Sequence, residues 1–219
     1  MCFACSVVEI VMISEQPSKV LVIVMAAGFS RRFGNADKRN ASLSDGRTLL
    51  ATTLSQLQRG TCAANYQLAV VIRPEDDAAA LGIPEDLPLL RAPAAERGLG
   101  GSISDAVRSV SADPAFAAID SLAIMLGDMP AIQPETLSML VAAGRPNRIL
   151  RPRYQGLPGH PVLFGRDFWP ELLSLEGEEG ARAVIRANSA SLFAIDVEDK
   201  GVVVDIDTPE QLAQPLSGH

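Results

Sequence analysis

The chain has 219 residues, of which 47% are hydrophobic and 21% charged, a length and balance that suit one globular domain with a full core and exclude collagen-like or disordered sequence. A net charge of −7 excludes a broad basic face for nucleic acid, and three cysteines are too few for a disulfide scaffold and point to reduced thiols in a cytoplasmic protein. Residues 1–18 are apolar in their middle but carry no Lys or Arg, and Glu9 interrupts them, so they read neither as a secretory signal nor as a membrane span.

The expected organisation is a poorly ordered N-terminal extension over residues 1–18 and a single domain over 19–219. Cys2 and Cys5 form a Cys-x-x-Cys pair, and Cys62 alone does not supply the two further ligands a structural zinc site needs. Residues 19–25, KVLVIVM, are a β-branched run without alternation, the pattern of a strand buried on both faces. Apolar spacing predicts a helix over 47–59 stopped by Gly60, and a second strand follows over 67–72. Pro74 and an acidic first turn predict a short helix over 74–81, followed by a short strand over 87–90 and a helix over 101–110. SLAIML at 121–126 reads as a third buried strand ending at Gly127-Asp128, and 134–143 as a helix capped by Gly144. Strands are predicted over 148–153, 160–164 and 192–196, with helices near 168–174 and 179–188. A last strand over 202–206 precedes a helix opening at Thr208-Pro209. Strands alternating with helices imply right-handed crossovers and a mostly parallel sheet covered on both faces, an α/β fold in three layers, α/β/α and Rossmann-like.

In such sheets ligands bind beyond the carboxyl ends of the strands. After the first strand comes Ala26-Ala27-Gly28-Phe29-Ser30-Arg31-Arg32-Phe33-Gly34, followed by Lys38. Glycine lets the backbone approach a phosphate, successive amides cradle its oxygens, and basic side chains neutralise the remaining charge. Four of the 19 basic residues fall between 31 and 39 of an otherwise acidic chain, which favours a polyphosphate ligand over a merely solvated loop. The loop has neither the Gly-Lys-Ser/Thr ending of a Walker loop nor the G-x-G-x-x-G dinucleotide spacing, which disfavours a dinucleotide-dependent oxidoreductase. Asp128 leaves the strand 121–126 into a turn fixed by Pro130, where it serves either as a Mg²⁺ ligand or as a turn cap. Asp207 likewise leaves a short apolar run, as a second metal ligand or as a helix N-cap. Two strand-end aspartates beside a basic glycine loop make a stronger constellation than any one of them.

The loop AAGFSRRFG with Lys38, the turn LGDMP and the terminal DIDTPEQL resemble the MobA/MocA-like nucleotidyltransferase family, which includes the molybdenum cofactor cytidylyl- and guanylyltransferases. The resemblance runs from about residue 20 to residue 213 and implies the sheet of the nucleotide-diphospho-sugar transferase type. PRYQGLPGHPVLF at 152–164 is similar to the substrate-side segment of the molybdopterin cytidylyltransferase branch, GLGGS at 98–102 to its base-binding loop, and Ala-Ala-Gly after the first strand to its cytidylyl form. The resemblance implies Mg²⁺-dependent transfer of CMP from CTP to the phosphate of molybdopterin with release of pyrophosphate. It implies that Ala26, Ala27 and Gly28 hold the nucleotide, that Arg31 and Lys38 hold the β- and γ-phosphates, that Gly100 and Ser102 contact base or ribose, and that Asp128 and Asp207 hold the metal. Arg31, Lys38 and Asp128 form the expected catalytic set. His160 either faces the acceptor or packs as a turn residue before Pro161. Arg39-Asn40-Ala41-Ser42 stands where relatives usually carry apolar residues, and Asp105 where they carry a small one. The implied partners are a nucleoside triphosphate, a phosphorylated small acceptor, and a molybdoenzyme or its chaperone that receives the product, with no nucleic acid and no membrane. Guanylyl transfer, another acceptor such as a sugar phosphate or phospholactate-like acid, and a non-catalytic protein that delivers a nucleotide or cofactor are the alternatives.

Overall fold

A computed structural model of the chain describes residues 18–29, 37–43, 46–64 and 66–212. The expected extension over 1–18, including Cys2 and Cys5, lies outside the described residues apart from Ser18, and so do Arg31, Arg32 and Gly34.

The unbroken apolar run after Lys19 becomes β1 (Val20–Met25), with every side chain buried. Leu21, Ile23 and Met25 enter one core cluster while Val20, Val22 and Val24 enter the other, so the strand has no polar face to alternate. It pairs in parallel with β2 (Tyr66–Ile72) on one side and with β4 (Ser121–Leu126) on the other, and β2 pairs in parallel with β3 (Leu89–Arg91). The chain therefore builds outward from β1 to β3 and returns to β1's other edge at β4, which opens a crevice beyond the carboxyl ends of β1 and β4. Beyond β4 the sheet continues through β7 (Val162–Gly165) and β5 (Ile149–Tyr154), both antiparallel to their inner neighbours, with the two-residue β6 (Leu157–Pro158) in a hairpin on β5 and β8 (Leu192–Asp196) parallel to β5.

Helices cover both faces. On one, α1 (Leu49–Ala64) and α3 (Pro134–Ala143) send Leu50, Leu54, Leu57, Leu137 and Leu140 against Val22 and Val24. On the other, α2 (Gly98–Ala112), α4 (Trp169–Leu172) and α5 (Arg182–Ala187) bring Ile103, Val107, Trp169, Leu172 and Val184 against Leu21 and Ile23. The mostly parallel three-layer α/β/α architecture is the one the alternation of elements predicts.

Three predicted elements differ. The first helix runs through Gly60 to Ala64, because a single glycine costs only about 1 kcal/mol inside a helix whose other turns are held by the core. No helix forms over 74–81: Asp76 takes the Arg73 amide and Asp77 the Ala79 amide, each at 2.9 Å, and these local side-chain turns compete with helical bonding. The strand predicted over 202–206 is replaced by a 3₁₀ turn, Lys200–Val203, capped by Asp199, whose carboxylate accepts the Gly201 and Gln133 amides at 2.8 and 2.9 Å. The remaining helix, α6 (Pro209–Leu212), is a single turn. Among the described residues no helix is long and apolar enough to cross a membrane.

Candidate nucleotide and metal site

The crevice at the ends of β1 and β4 is a cavity of about 680 Å³. In-register pairing sets Met25 beside Leu126, so the residues that follow them, Ala26 to Gly28 and Gly127-Asp128, emerge side by side on its wall. Ala26 and Ala27 are buried, and among the described residues nothing lies within 4 Å of where a Cβ on Gly28 would point. Asp128 is anchored through its carbonyl, which accepts the Ile206 amide at 3.0 Å, and Ile206 is buried with Leu43 and Leu49. That plug carries the C-terminal segment across the crevice and leaves Asp207 next to Asp128.

Lys38 closes the triangle. Its Nζ donates to Asp128 Oδ2 and Asp207 Oδ1, each at 2.7 Å. Burial alone would lower its pKa, but the two carboxylates outweigh that and raise it above its ordinary value, so the ammonium stays charged. Burial and the neighbouring Asp207 push the Asp205 carboxyl up. In the same cluster Asp128 Oδ1 is buried and has no hydrogen-bond partner among the described residues. A buried, unsatisfied carboxylate oxygen is costly, and its natural complement is a further cation. Among the described residues no three His, Cys, Asp or Glu side chains gather as a protein-only metal cage. Two carboxylates with room for water and phosphate oxygens suit Mg²⁺ or Mn²⁺, hard octahedral ions that take few protein ligands beside substrate phosphates. The residues present therefore fit a divalent ion.

The opposite wall is built differently. Arg151, on β5, donates through Nε to the Gly159 carbonyl at 3.1 Å. Burial and the nearby Arg182 lower its pKa, the signature of a guanidinium facing a second cation rather than a carboxylate. Beside it, burial and then Arg151 hold the His160 imidazole below its ordinary pKa, so it is neutral at pH 7, and its Nδ1 is buried with no partner among the described residues. Arg151, His160 and Arg182 all line the cavity.

The structure brings Ala26, Ala27, Gly28, Lys38, Ser102, Asp128 and Asp207 onto one cavity, and Arg31 lies outside the described residues. Gly100 is a correction. A Cβ there would stand 2.6 Å from the Glu176 carbonyl oxygen, so this glycine admits the backbone of 176–177 against α2 and is not on the cavity wall, whereas its neighbours Gly98 and Ser102 are. Asp105 accepts the Ala94 amide at 2.6 Å and shapes the turn that enters α2. Arg39, Arg151 and Arg182 were not assigned by the sequence reading. The available signal was charge inside apolar runs: Arg151 and Arg153 interrupt a strand, and Arg39 stands beside the key lysine.

With this geometry in view, comparison with known proteins is specific. The model of the MobA-like NTP transferase domain matches residues 22–192. The purine catabolism protein PucB of Bacillus subtilis (strain 168) is 32% identical over 118 residues, a match that covers 53% of this chain and 55% of PucB. Nicotine blue oxidoreductase of Paenarthrobacter nicotinovorans is 26% identical over 209 residues, 89% of this chain and 95% of that protein. The crystal structure of a Mycobacterium tuberculosis Rv0371c homolog from Mycobacterium sp. strain JC1 is similar with a TM-score of 0.72 and 30% identity, over 90% of this chain and 94% of that one. Rv0371c itself has been solved in complex with manganese; it is 24% identical, with a TM-score of 0.69, over 89% of this chain and 96% of that one.

Proposed function

The chain belongs to the MobA-like NTP transferase family, and on that premise we propose that it transfers CMP from CTP to the phosphate of molybdopterin, releasing pyrophosphate, with Mg²⁺ as the metal. The observation that carries this reading is the triangle of Lys38, Asp128 and Asp207 at the exit of β1 and β4, with Arg151 and Arg182 on the same cavity. An acceptor phosphate oxygen attacks the α-phosphorus, the bond to the β-phosphate breaks, and the protein's task is positioning and charge neutralisation. Asp128 and Asp207 would hold the divalent ion, which supplies charge neutralisation between the anionic acceptor and the triphosphate. The backbone after β1, at Ala26 to Gly28, opens toward the triphosphate. Lys38 holds its charge beside the two carboxylates and swings to the β- and γ-phosphates when they arrive. Arg151 and Arg182, which line the far wall beside Glu178 and Glu179, hold the acceptor's phosphate, with the neutral His160 next to Arg151. The cytosine preference is supported by Ala26-Ala27-Gly28, the form similar to cytidylyl enzymes.

The test is pyrophosphate release from each of CTP, GTP, ATP and UTP with Mg²⁺, with and without molybdopterin. Release with CTP and molybdopterin alone supports the reading; release with GTP moves it to guanylyl transfer; silence with molybdopterin but turnover with a sugar phosphate or phospholactate-like acid changes the acceptor; triphosphate binding with no turnover on any acceptor assigns a delivery protein. A parallel arm following turnover of nicotine blue tests the oxidoreductase activity for which that relative is named.

A further inference from the structure

Arg39 stands directly after the lysine of the triangle, and the function above gives it no role. Its side chain is only 8% exposed, although arginine is the side chain least readily taken out of water unpaired. Every N–H of its guanidinium is used. Nε donates to Asp37 Oδ1 at 2.9 Å, Nη2 to Asp37 Oδ2 at 2.6 Å and to Asp76 Oδ1 at 2.9 Å, and Nη1 to Asp76 Oδ2 at 2.5 Å and to the Ala26 carbonyl at 2.7 Å. Arg73 completes the cluster, 2.9 Å from Asp76 and 3.5 Å from Asp37, with its guanidinium 4.9 Å above the Phe29 ring. Two guanidinium groups thus face two carboxylates, and the burial is compensated in both charge and hydrogen bonds.

The clamp joins three separated segments. Ala26 is the first residue after β1, Asp37 and Arg39 flank Lys38, and Arg73 and Asp76 follow β2. One guanidinium thus binds both the Ala26 carbonyl, just before Ala27-Gly28, and the Asp37 carboxylate, just before Lys38. Because Lys38 lies between two clamp residues, fixing them fixes its backbone, from which its side chain reaches Asp128 and Asp207 at 2.7 Å. An apolar residue would fill the same space but leave the Ala26 carbonyl without this donor and Asp76 with Arg73 alone, and a lysine would bring a point charge without the planar fork.

We infer that Arg39 is a positioning residue: through its clamp with Asp37, Asp76 and Arg73 it sets the place of Lys38 and of the Ala26–Gly28 backbone for nucleotide binding. The inference rests on the nucleotide-binding reading of this cavity. It is tested on the full chain with Arg39→Lys, Asp76→Asn, Lys38→Met and the double variant Lys38→Met/Arg39→Lys. Affinity for Mg²⁺·CTP is read by titration calorimetry, and folding by circular dichroism. Arg39→Lys and Asp76→Asn each weaken CTP binding by about 10- to 100-fold, the usual scale for supporting residues one shell removed. Adding Arg39→Lys to Lys38→Met costs less than Arg39→Lys costs alone, because the part of the arginine's effect that runs through the lysine is already lost, while the part that runs through the Ala26 carbonyl remains. Folded Arg39→Lys protein with undiminished affinity overturns the inference, as does full additivity in the double variant.

Amide hydrogen exchange reads the clamp without nucleotide. The Arg39 amide, bonded to Asp37 Oδ1 at 3.0 Å, and the Ala41 amide, bonded to the Lys38 carbonyl at 3.1 Å, exchange at least about ten-fold faster in Asp76→Asn, whereas amides in α3 do not change. Unchanged exchange overturns the inference even where Arg39→Lys fails to fold. If the natural protein binds no nucleoside triphosphate, the proposed function falls, and the exchange measurement still decides whether the clamp holds Lys38.

Discussion

Lys38→Met removes the ammonium that stands 2.7 Å from both Asp128 and Asp207 while keeping an unbranched side chain of similar reach. The side chains of the two aspartates are 26% and 39% exposed, so both can rehydrate, and the loss falls below the roughly 3–5 kcal/mol of breaking a fully buried pair. With screening at that exposure it comes to about 1–2 kcal/mol. For a chain of this length each kcal/mol shifts Tm by about 2–4 °C, which places the variant about 2–8 °C below the natural protein in the presence of chelator. The pH dependence has a definite sign. Because the folded-state pKa of Lys38 is raised above 10.5, the lysine's contribution is fully present below 10.5 and is lost as pH rises through the raised value, so the Tm gap is steady through neutral and mildly alkaline pH and narrows only beyond 10.5. Metal reverses the order. In the natural protein a cation has to displace the ammonium, whereas in Lys38→Met two carboxylates await it, and an ion at about 100 times its Kd adds about 2.7 kcal/mol. Thermal melts over a Mn²⁺ titration should therefore show Lys38→Met gaining more than the natural protein, closing or inverting the gap. A variant that melts early in chelator yet gains no more from Mn²⁺ would refute Asp128 and Asp207 as a cation-binding pair.

Asp128→Ala removes the carboxylate proposed to hold the metal and should lower Mg²⁺-dependent turnover by at least about 100-fold; full activity in a pyrophosphate-release assay would discard its assignment. Arg151→Gln should raise KM for the acceptor by about ten-fold while leaving KM for the triphosphate within about two-fold, since it removes one charge-assisted contact on the far wall; an equal rise in both constants would contradict separate subsites. Gly98→Ala combines a φ of +85° with a Cβ 2.7 Å from the Gly177 backbone, so it should destabilise by about 2 kcal/mol or more and displace the 176–182 wall, read as a lowered midpoint in urea. Asp76 is lowered to about 2 against the ordinary 3.8, burial being outweighed by Arg39 and Arg73, so its ion pairs stabilise the fold above pH 3.8 and are lost as pH falls through about 2. Acid titration of Asp76→Asn should lack about 2 kcal/mol of that pH-dependent stability, and an unchanged acid profile would deny the pairing.

The fold was legible where a residue's surroundings are set by its own run of sequence. SLAIML gave its strand to the residue because a continuous apolar run has one solution between two layers of helices, and Pro134 with Gly144 bracketed α3 because one fixes φ at the first turn and the other ends the ladder. It failed where one side chain's hydrogen bonds decide the matter. Asp76 and Asp77 sit in a segment with helical composition, and Asp76 is recruited by Arg39, 37 positions earlier in the chain, which no local pattern announces. Gly100 was misread for the same reason: GLGGS looks like a ligand loop, yet its second glycine is needed by a strand of backbone at 176–177 that only the fold brings there. Asp128 reaches the crevice from a strand end, as ligand sites in parallel sheets do, but Asp207 reaches it after a 3₁₀ turn and the buried Ile206 and not after the strand expected there, and Arg151 and Arg182 lie on elements whose convergence depends on the antiparallel return through β7.

Lys38 lies 90 residues from Asp128 and 169 from Asp207, so the triangle exists only when the whole domain has closed. Each corner is held by a different device: Asp128 by the register of β4 on β1, Asp207 by the burial of Ile206, and Lys38 by the guanidinium clamp of its neighbour. The first two belong to the core and resist displacement, since moving either breaks strand pairing or exposes apolar surface. The third is a cluster of charges at the edge of the crevice, strong enough to place the lysine yet attached to the segment that has to admit a triphosphate. On the proposed function a nucleotide would meet two carboxylates set by the core and one cation whose backbone the clamp sets, and the binding energy of the phosphates would be spent on moving the Lys38 side chain rather than on rebuilding the sheet. That division predicts where variation in affinity among substituted proteins should concentrate: changes to the clamp should alter nucleotide binding at a cost of about the 2 kcal/mol its ion pairs contribute, while changes to the β1–β4 seam should lower affinity and stability together and by more.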